Sequence, residues 1–366
     1  MVAQKDKLFV DFKGALENLR DLDAALSLSA LGALSGVNRQ ELADFASLWV
    51  RLPTERRQRA SQMMVEMAEE NFKNDFNLLF RYMLDDEDAQ VRVHAIDGLW
   101  EDEDVALVKP LVGFLRSDPD PGVRAAAADS LGRFVLLAEY DRLPQKAMAD
   151  LVHDALLSTI RSGLETTDVR ARAIESLAYW SEDLMRDIIA AAYEDDNAQM
   201  RACAVSAMGR SADTYWRKTA AGELESPDPR MRFEAAVAVG ELEDRESVPR
   251  LIELLEDSDR QVQSAAITSL GQIGGKPARE ALHRAAESED EVIRSLADEA
   301  LQELDFASNS DLLLFDLGVE DEDWEDMELD GDEEEDEEED EGEEWGDSEM
   351  DEDDSDRAED EESLEE

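Results

Sequence analysis

The chain has 366 residues, of which 43% are hydrophobic but only 6% aromatic, and its formal net charge is −58. A composition rich in Ala and Leu and poor in aromatic residues favours helices over strands. The negative charge argues against direct nucleic-acid binding, which needs clustered Lys and Arg, and indicates basic proteins, peptides or cations as electrostatic partners.

The N-terminal segment, MVAQKDKLFVDFKGAL, has no sustained apolar run before acidic residues and Lys13 interrupt it, so we expect no signal peptide. The most apolar early run, residues 26–36, is too short to span a membrane. Cys203 is the single cysteine, which excludes an intrachain disulfide and favours a reducing compartment. We therefore expect a cytoplasmic protein without a membrane anchor.

Residues 1–74 are predicted to be a helical N-terminal cap for the repeat array that follows. QRASQMMVEMAEE, at residues 58–70, has the pattern of a second helix in a degenerate repeat, one period before the first full repeat. An atypical first unit is expected, because the end of a stacked array needs a cap with a polar outer face.

Residues 75–305 repeat one phrase, seen as DPDPGVRAAAADSLG at 118–132, SPDPRMRFEAAVAVG at 226–240 and DSDRQVQSAAITSLG at 257–271. We define the anchor of each repeat as the Val, Met or Ile near its start. Successive anchors lie 31 or 32 residues apart, except for one gap of 46 that holds an insertion near residues 134–149. Such a period predicts a stacked array. The anchors are Val91, Val123, Val169, Met200, Met231, Val262 and Ile293.

Each phrase has the pattern of one helix. An Ala stands four residues after every anchor and a larger apolar residue eight after, so both lie on one helical face. A second helical pattern precedes each phrase, which predicts seven antiparallel helix pairs. Asp or Asn three residues before most anchors is the expected N-cap, and the Arg after most anchors is expected to pair with an acidic residue within or between repeats. The Gly that ends several phrases suits a helix end or close helix packing.

The unit VPRLIELLEDSDRQVQSAAITSLGQIGGKPA, at residues 248–278, resembles HEAT repeats of the short type named after phycobilisome lyases (PBS lyase HEAT-like repeats). The resemblance covers residues 75–305. It implies an all-α fold, an α-solenoid of stacked antiparallel helix pairs. It does not imply one function, because many unrelated activities use this scaffold.

Two enzyme classes with HEAT-like repeats are the alternatives to a binding function. Deoxyhypusine hydroxylases carry repeated His-Glu pairs as iron ligands, but His94, His153 and His283 are the only histidines here, and none precedes Glu. Nothing outside the generic repeat supports a bilin-lyase role, and no nucleotide, hydrolase or zinc motif is present. We therefore expect no catalytic residues, no cofactor and no metal, and we predict that the protein is not an enzyme.

The predicted binding surface is the side of the second helices opposite the core. Positions two, six and ten after each anchor are expected there, on the concave face of the array, with aromatic and charged groups mixed as in many protein interfaces. Alternatively, some of these aromatic residues bridge neighbouring helices. The predicted binding residues are Trp100, Tyr179, Trp180, Phe233 and Val237.

Residues 306–319 contain the apolar cluster DLLLFDLG. It is predicted either to cap the last repeat or to dock on another protein through Leu313, Leu314, Phe315 and Leu317. Residues 320–366 hold 33 acidic residues and one basic residue, so we expect a disordered tail. The EF-hand-like string DMELDGDEEEDE within it is attributed to chance, because Glu occupies its third and eighth positions.

Together these patterns predict a non-enzymatic protein-binding scaffold or adaptor. Its acidic tail is expected to attract a basic partner over long range and so to raise the association rate. We expect a monomer or a subunit of a hetero-complex. Besides the two enzyme classes, an acidic chaperone for a basic protein is the remaining alternative.

Overall fold

The computed structural model describes residues 10–181 and 183–316, with the backbone alone for 307–316. Within these residues all regular elements are helices, which confirms the all-α class, and no helix there is both long and apolar enough to cross a membrane. The helices are α1 (Phe12–Arg20), α2 (Leu28–Gly32), α3 (Arg39–Trp49), α4 (Thr54–Glu70), α5 (Asn77–Met83), α6 (Ala89–Gly98), α7 (Val108–Ser117), α8 (Pro121–Glu139), α9 (Lys146–Ile160), α10 (Thr167–Leu177), α11 (Asp183–Tyr193), α12 (Ala198–Arg210), α13 (Arg217–Glu223), α14 (Pro229–Glu241), α15 (Val248–Leu254), α16 (Arg260–Ile273), α17 (Gly275–Ala285) and α18 (Glu291–Asp316).

The helices from α5 onward alternate in two layers. We call the first helix of each pair the A helix (α5, α7, α9, α11, α13, α15, α17) and the second the B helix (α6, α8, α10, α12, α14, α16, α18). Successive B helices from α6 to α16 pack side by side, more closely than the A helices do. This arrangement confirms the α-solenoid, and α4 packs against α6 as a further B helix would. The described residues up to Leu313 form one compact unit.

The predicted apolar face of the B helices is the core of the array. Six of the seven anchors are buried, and Ile293 is half-buried. The Ala four residues after each anchor is buried in every repeat, and so is the larger residue eight after it. The repeat pattern therefore identifies the core correctly, because steps of four and eight residues remain on one side of a helix.

The insertion between the second and third repeats lengthens both helices around it instead of adding an element. Helix α8 has 19 residues, compared with 13 in α12 and α14, and α9 has 15. The loop between α8 and α9 turns at Asp141, which has a φ of 53°. The second and third repeats thus project a longer end than their neighbours.

The B helices begin with the predicted caps. The Asp120 carboxylate accepts a hydrogen bond from the Gly122 backbone N–H at 2.8 Å, and Pro121 occupies the first helical turn, where its missing N–H costs nothing. The same side-chain cap starts four other B helices, with Asp88, Asn197, Asp228 and Asp259.

Arginines of the phrase join successive repeats, as the sequence predicts. The guanidinium of Arg92 donates two hydrogen bonds to the Asp118 carboxylate of the next repeat, at 3.0 and 2.8 Å. Arg124 contacts Glu165, and Arg232 contacts Asp257, with the same two-bond geometry. These bidentate pairs fix one repeat on the next.

Candidate protein-binding surface

The exposed side of the B helices, which we call the B face, is narrower than the sequence predicts. Positions two and six after the anchor were expected to be exposed, but Ala125, Ala171 and Ala202 are buried at position two. Glu175 and Ser206, at position six, are each only 7% exposed. The expectation was wrong there because successive B helices pack so closely that these positions lie at the helix–helix contact.

Three of the predicted binding residues lie on or beside the B face. Phe233 and Val237 are half-buried on α14 and pack partly against the core. Tyr179 lies in the loop after α10, beside the B face, and its ring centroid is 5.7 Å from the Arg210 guanidinium of α12, which places a cation over the ring. Burial raises the pKa of Tyr179, so its hydroxyl stays protonated.

The other two predicted residues lie elsewhere, in the loops that join one repeat to the next. Trp100 follows α6 and is 50% exposed. Trp180 follows α10, and its ring centroid lies 4.7 Å from that of His153 on α9. The structure therefore divides the predicted set between two surfaces, and the packing of Trp180 on His153 agrees with the alternative that some aromatic residues bridge helices.

The predicted C-terminal contact lies largely outside the described residues. Leu313, Leu314 and Phe315 belong to α18, which is described there by its backbone alone. Leu317 and the acidic tail are outside the described residues. Capping or docking by this segment remains a prediction.

Charged side chains of the B face pair with one another. Arg172 donates a hydrogen bond to the Glu175 carboxylate at 2.8 Å and lies 4.0 Å from the Asp129 carboxylate. The Asp97 side chain reaches solvent, but the surrounding protein removes part of its hydration. This partial desolvation raises the pKa of Asp97 to about 6, and the negative charge of Asp129 also raises it.

A second acidic group lies around Glu241. Partial desolvation raises the pKa of this carboxyl to about 7, against the opposing charge of Arg210, and Glu234 adds to the increase. Burial also raises the pKa of Glu234. The B face therefore changes its charge near neutral pH.

These raised pKa values predict a pH-dependent stability. A carboxyl with a raised pKa in the folded state opposes folding when it ionises, so its cost is absent below the unfolded pKa and grows as pH rises from about 4 to 7. The variant Asp97→Asn, Glu241→Gln should therefore raise the urea midpoint at pH 8 and much less at pH 5. The increase in the urea midpoint should be small, because water screens the charges of these partly exposed carboxylates.

Glu17→Gln, a change at an exposed carboxylate of α1, serves as the control and should alter neither midpoint. An equal gain for the double variant at both pH values would contradict the assignment of raised pKa values to Asp97 and Glu241.

His94 of α6 contacts the neighbouring helix α4. The His94 imidazole lies 2.8 Å from the Ser61 hydroxyl of α4 and 3.0 Å from the Gln90 amide, and burial lowers its pKa. Among the described residues, no group of three or more His, Cys, Asp and Glu side chains is arranged to hold a metal ion.

Two exposed aromatic residues were missed by the sequence analysis. Tyr140, 68% exposed, and Tyr215, 63% exposed, lie in inter-repeat loops like Trp100 and Trp180. The available signal was an aromatic residue in four successive polar segments between a phrase and the next helix. A search restricted to fixed offsets from the anchor does not detect it.

Comparison with known families identifies the repeat. A family model of HEAT repeats matches residues 77–162 and 218–302. Comparison with curated protein sequences gives no match.

Solved structures with a similar arrangement include human deoxyhypusine hydroxylase, 18% identical over 73% of this chain and 96% of that one, with a TM-score of 0.34. The complex of CpcE and CpcF of phycocyanin lyase from Nostoc sp. PCC7120 is 21% identical over 62% and 86%, with a TM-score of 0.44. The Kap95:Nup1 complex is 15% identical over 80% and 46%, with a TM-score of 0.39. At these values the similarities assign neither activity nor partner.

Proposed function

We propose that this chain, which is a HEAT-repeat protein, is a scaffold or adaptor that binds another protein through its B face. The observation that carries the proposal is the mixture of side chains there. Tyr179, Phe233 and Val237 are partly exposed beside the charged groups of Arg210 and Glu241. Aromatic anchors within a rim of charged groups are typical of protein interfaces.

A binding role agrees with the pairing of these polar groups. Arg172 is hydrogen-bonded to Glu175, and Arg210 lies over Tyr179. Charged groups held by one another present a fixed pattern of charge to a partner, which favours specific recognition.

The acidic tail is proposed to attract a basic partner before the B face engages it. Its 33 acidic residues act over a screening length of roughly 8 Å at physiological salt. Cys203 is a free, buried thiol, which suits the proposed cytoplasmic location.

The test is partner capture by full-length protein followed by affinity measurement with the captured protein. Phe233→Ala should weaken binding by about 2 kcal/mol, the usual cost of truncating an aromatic hot spot. Asp129→Arg reverses an exposed charge on the B face without removing core contacts, and it should also weaken binding. Phe306→Ala, at an exposed aromatic residue of α18, is the matched control.

Circular dichroism and the urea midpoint establish that each variant is folded. If folded Phe233→Ala and Asp129→Arg proteins both retain the affinity of the Phe306→Ala control, the B face is not the binding surface.

A further inference from the structure

Four consecutive inter-repeat loops each present an aromatic side chain. Trp100 follows α6, Tyr140 follows α8, Trp180 follows α10 and Tyr215 follows α12. Trp100, Tyr140 and Tyr215 are 50%, 68% and 63% exposed, and Trp180 is half-buried. We call these four residues the aromatic edge.

Contacts between the loops place them in sequence along one side of the array. Arg142 of the second loop donates a hydrogen bond to Glu103 of the first at 3.0 Å. The Ser181 N–H of the third loop donates to the Glu139 carboxylate, at the end of α8, at 3.3 Å. Arg186 of α11 pairs with Asp213 of the fourth loop. The four loops that carry these aromatic residues therefore follow one another along one side of the array.

The aromatic edge already holds one cation of the chain itself. The Arg186 guanidinium lies 5.3 Å from the Tyr215 ring centroid while it pairs with the Asp213 carboxylate. A ring and a carboxylate together attract a cation more strongly than either does alone. Carboxylates also lie in the loops of Trp100 and Tyr140, at Glu103, which pairs with Arg142, and at Asp141.

Trp180 is flanked by two cavities. The larger, of about 670 Å³, is lined on its polar side by four carboxylates and one ammonium group. The smaller, of about 280 Å³, lies between Trp180 and Trp216 and includes Asp183 and Asp213. The charged residues of the larger cavity are Glu139, Asp141, Asp150, Asp154 and Lys146.

We propose that the aromatic edge binds an extended protein segment rich in Arg and Lys, whose cationic side chains stack on the four rings between the carboxylates. This inference rests on the proposed function, because it names the class of partner segment that the scaffold recognises. Charge complementarity selects a basic segment over an acidic or apolar one.

Packing distances set the length of the bound segment. Neighbouring helices pack about 10 Å apart, so three steps between four loops span about 30 Å. An extended chain covers about 3.3 Å per residue, which gives a segment of about nine residues. One cation about every third residue then matches one ring per repeat.

The experiment uses a fluorescent peptide of about twelve residues with Arg at every third position and Ser or Ala between. Its affinity for full-length protein is measured by fluorescence anisotropy at physiological salt, so that the tail contributes equally in every arm. The triple variant Trp100→Ala, Tyr140→Ala, Tyr215→Ala should bind about 10- to 100-fold more weakly, because each exposed ring contributes a factor of about two to five. Phe306→Ala should stay within about twofold of the unchanged protein.

Two results would overturn the inference. If the triple variant binds the peptide within about twofold of the control, the peptide binds outside the aromatic edge, for example at the acidic tail. If a peptide with Glu in place of Arg binds equally well, charge complementarity does not select the segment. Tyr140→Ala alone, at the most exposed ring of the aromatic edge, should lower the affinity about two- to fivefold, which keeps the test valid if the triple variant unfolds.

The proposed function is tested separately, by the variants of the B face and the captured partner. If the triple variant binds the peptide as the unchanged protein does, while Phe233→Ala loses partner binding, the aromatic edge alone is rejected. If the triple variant loses peptide binding, while Phe233→Ala keeps partner binding, the B face alone is rejected.

Discussion

Replacement of Asp118 by Ala is expected to lower the free energy of unfolding by about 3–5 kcal/mol. The side chains of Asp118 and its partner Arg92 are only 5% and 10% exposed. Removal of the carboxylate leaves the Arg92 guanidinium buried without its counter-charge and without two hydrogen bonds. It also removes the acceptor of the Asp120 backbone N–H, which lies 2.9 Å from the Asp118 carboxylate.

The matched control is Glu225→Ala, which breaks the exposed pair between Glu225 and Arg250 and should leave the urea midpoint unchanged. A double variant, Arg92→Met with Asp118→Leu, should recover much of the stability, because it leaves neither charge unpaired. Equal midpoints for Asp118→Ala and Glu225→Ala would show that the pair between repeats does not stabilise the array.

The fold was predictable because its determinants are local. The cap at Asp120, the proline at 121 and the apolar anchor at Val123 lie within four residues, and each acts through the geometry of one helix turn. Because the same pattern recurs with a fixed period, the same structure is predicted for every repeat. Even the pairing of Arg92 with an acidic residue of the next repeat follows from the stacking of equivalent positions.

The candidate surfaces were less predictable because they depend on distances between helices. Ala171 and Ala202 are small, so adjacent B helices approach closely and bury positions that one isolated helix would expose. The loop aromatic residues Tyr140 and Tyr215 follow no fixed offset from the anchor. Between the second and third repeats the insertion displaces the loop, so periodicity carries no information about its position.

The two sides of the array that carry loops therefore differ in chemistry. Turns within a repeat are occupied by Asp caps and by arginine pairs such as Arg232 with Asp257, whose polar groups are satisfied internally. Loops between repeats present rings such as Trp100 and Tyr140 to solvent. The turns within repeats have a strictly repeated sequence, and they stabilise the stack. The loops between repeats vary in sequence, and we propose that they recognise the partner segment.

Close approach of the B helices yields the second large expected effect. Gly209→Ala should lower the free energy of unfolding by about 1–3 kcal/mol, although Ala is the better helix former. A methyl group at Gly209 would lie 2.7 Å from the Cα of Ala238 on the next B helix, so the two backbones must separate. Gly240 faces Ser269 and Gly271 faces Ala300 in the same way, which shows a shared requirement for a small residue.

Gly113→Ala is the matched control, because Gly113 lies within α7 with nothing inside 4 Å of a methyl group placed there. This change should raise the free energy of unfolding by up to about 1 kcal/mol through helix propensity alone. Opposite shifts of the urea midpoint for the two Gly→Ala changes would separate helix propensity from helix contact. A gain in stability for Gly209→Ala would mean that the B helices are farther apart than the structure places them, and the burial of Ala171 and Ala202 would need the same revision.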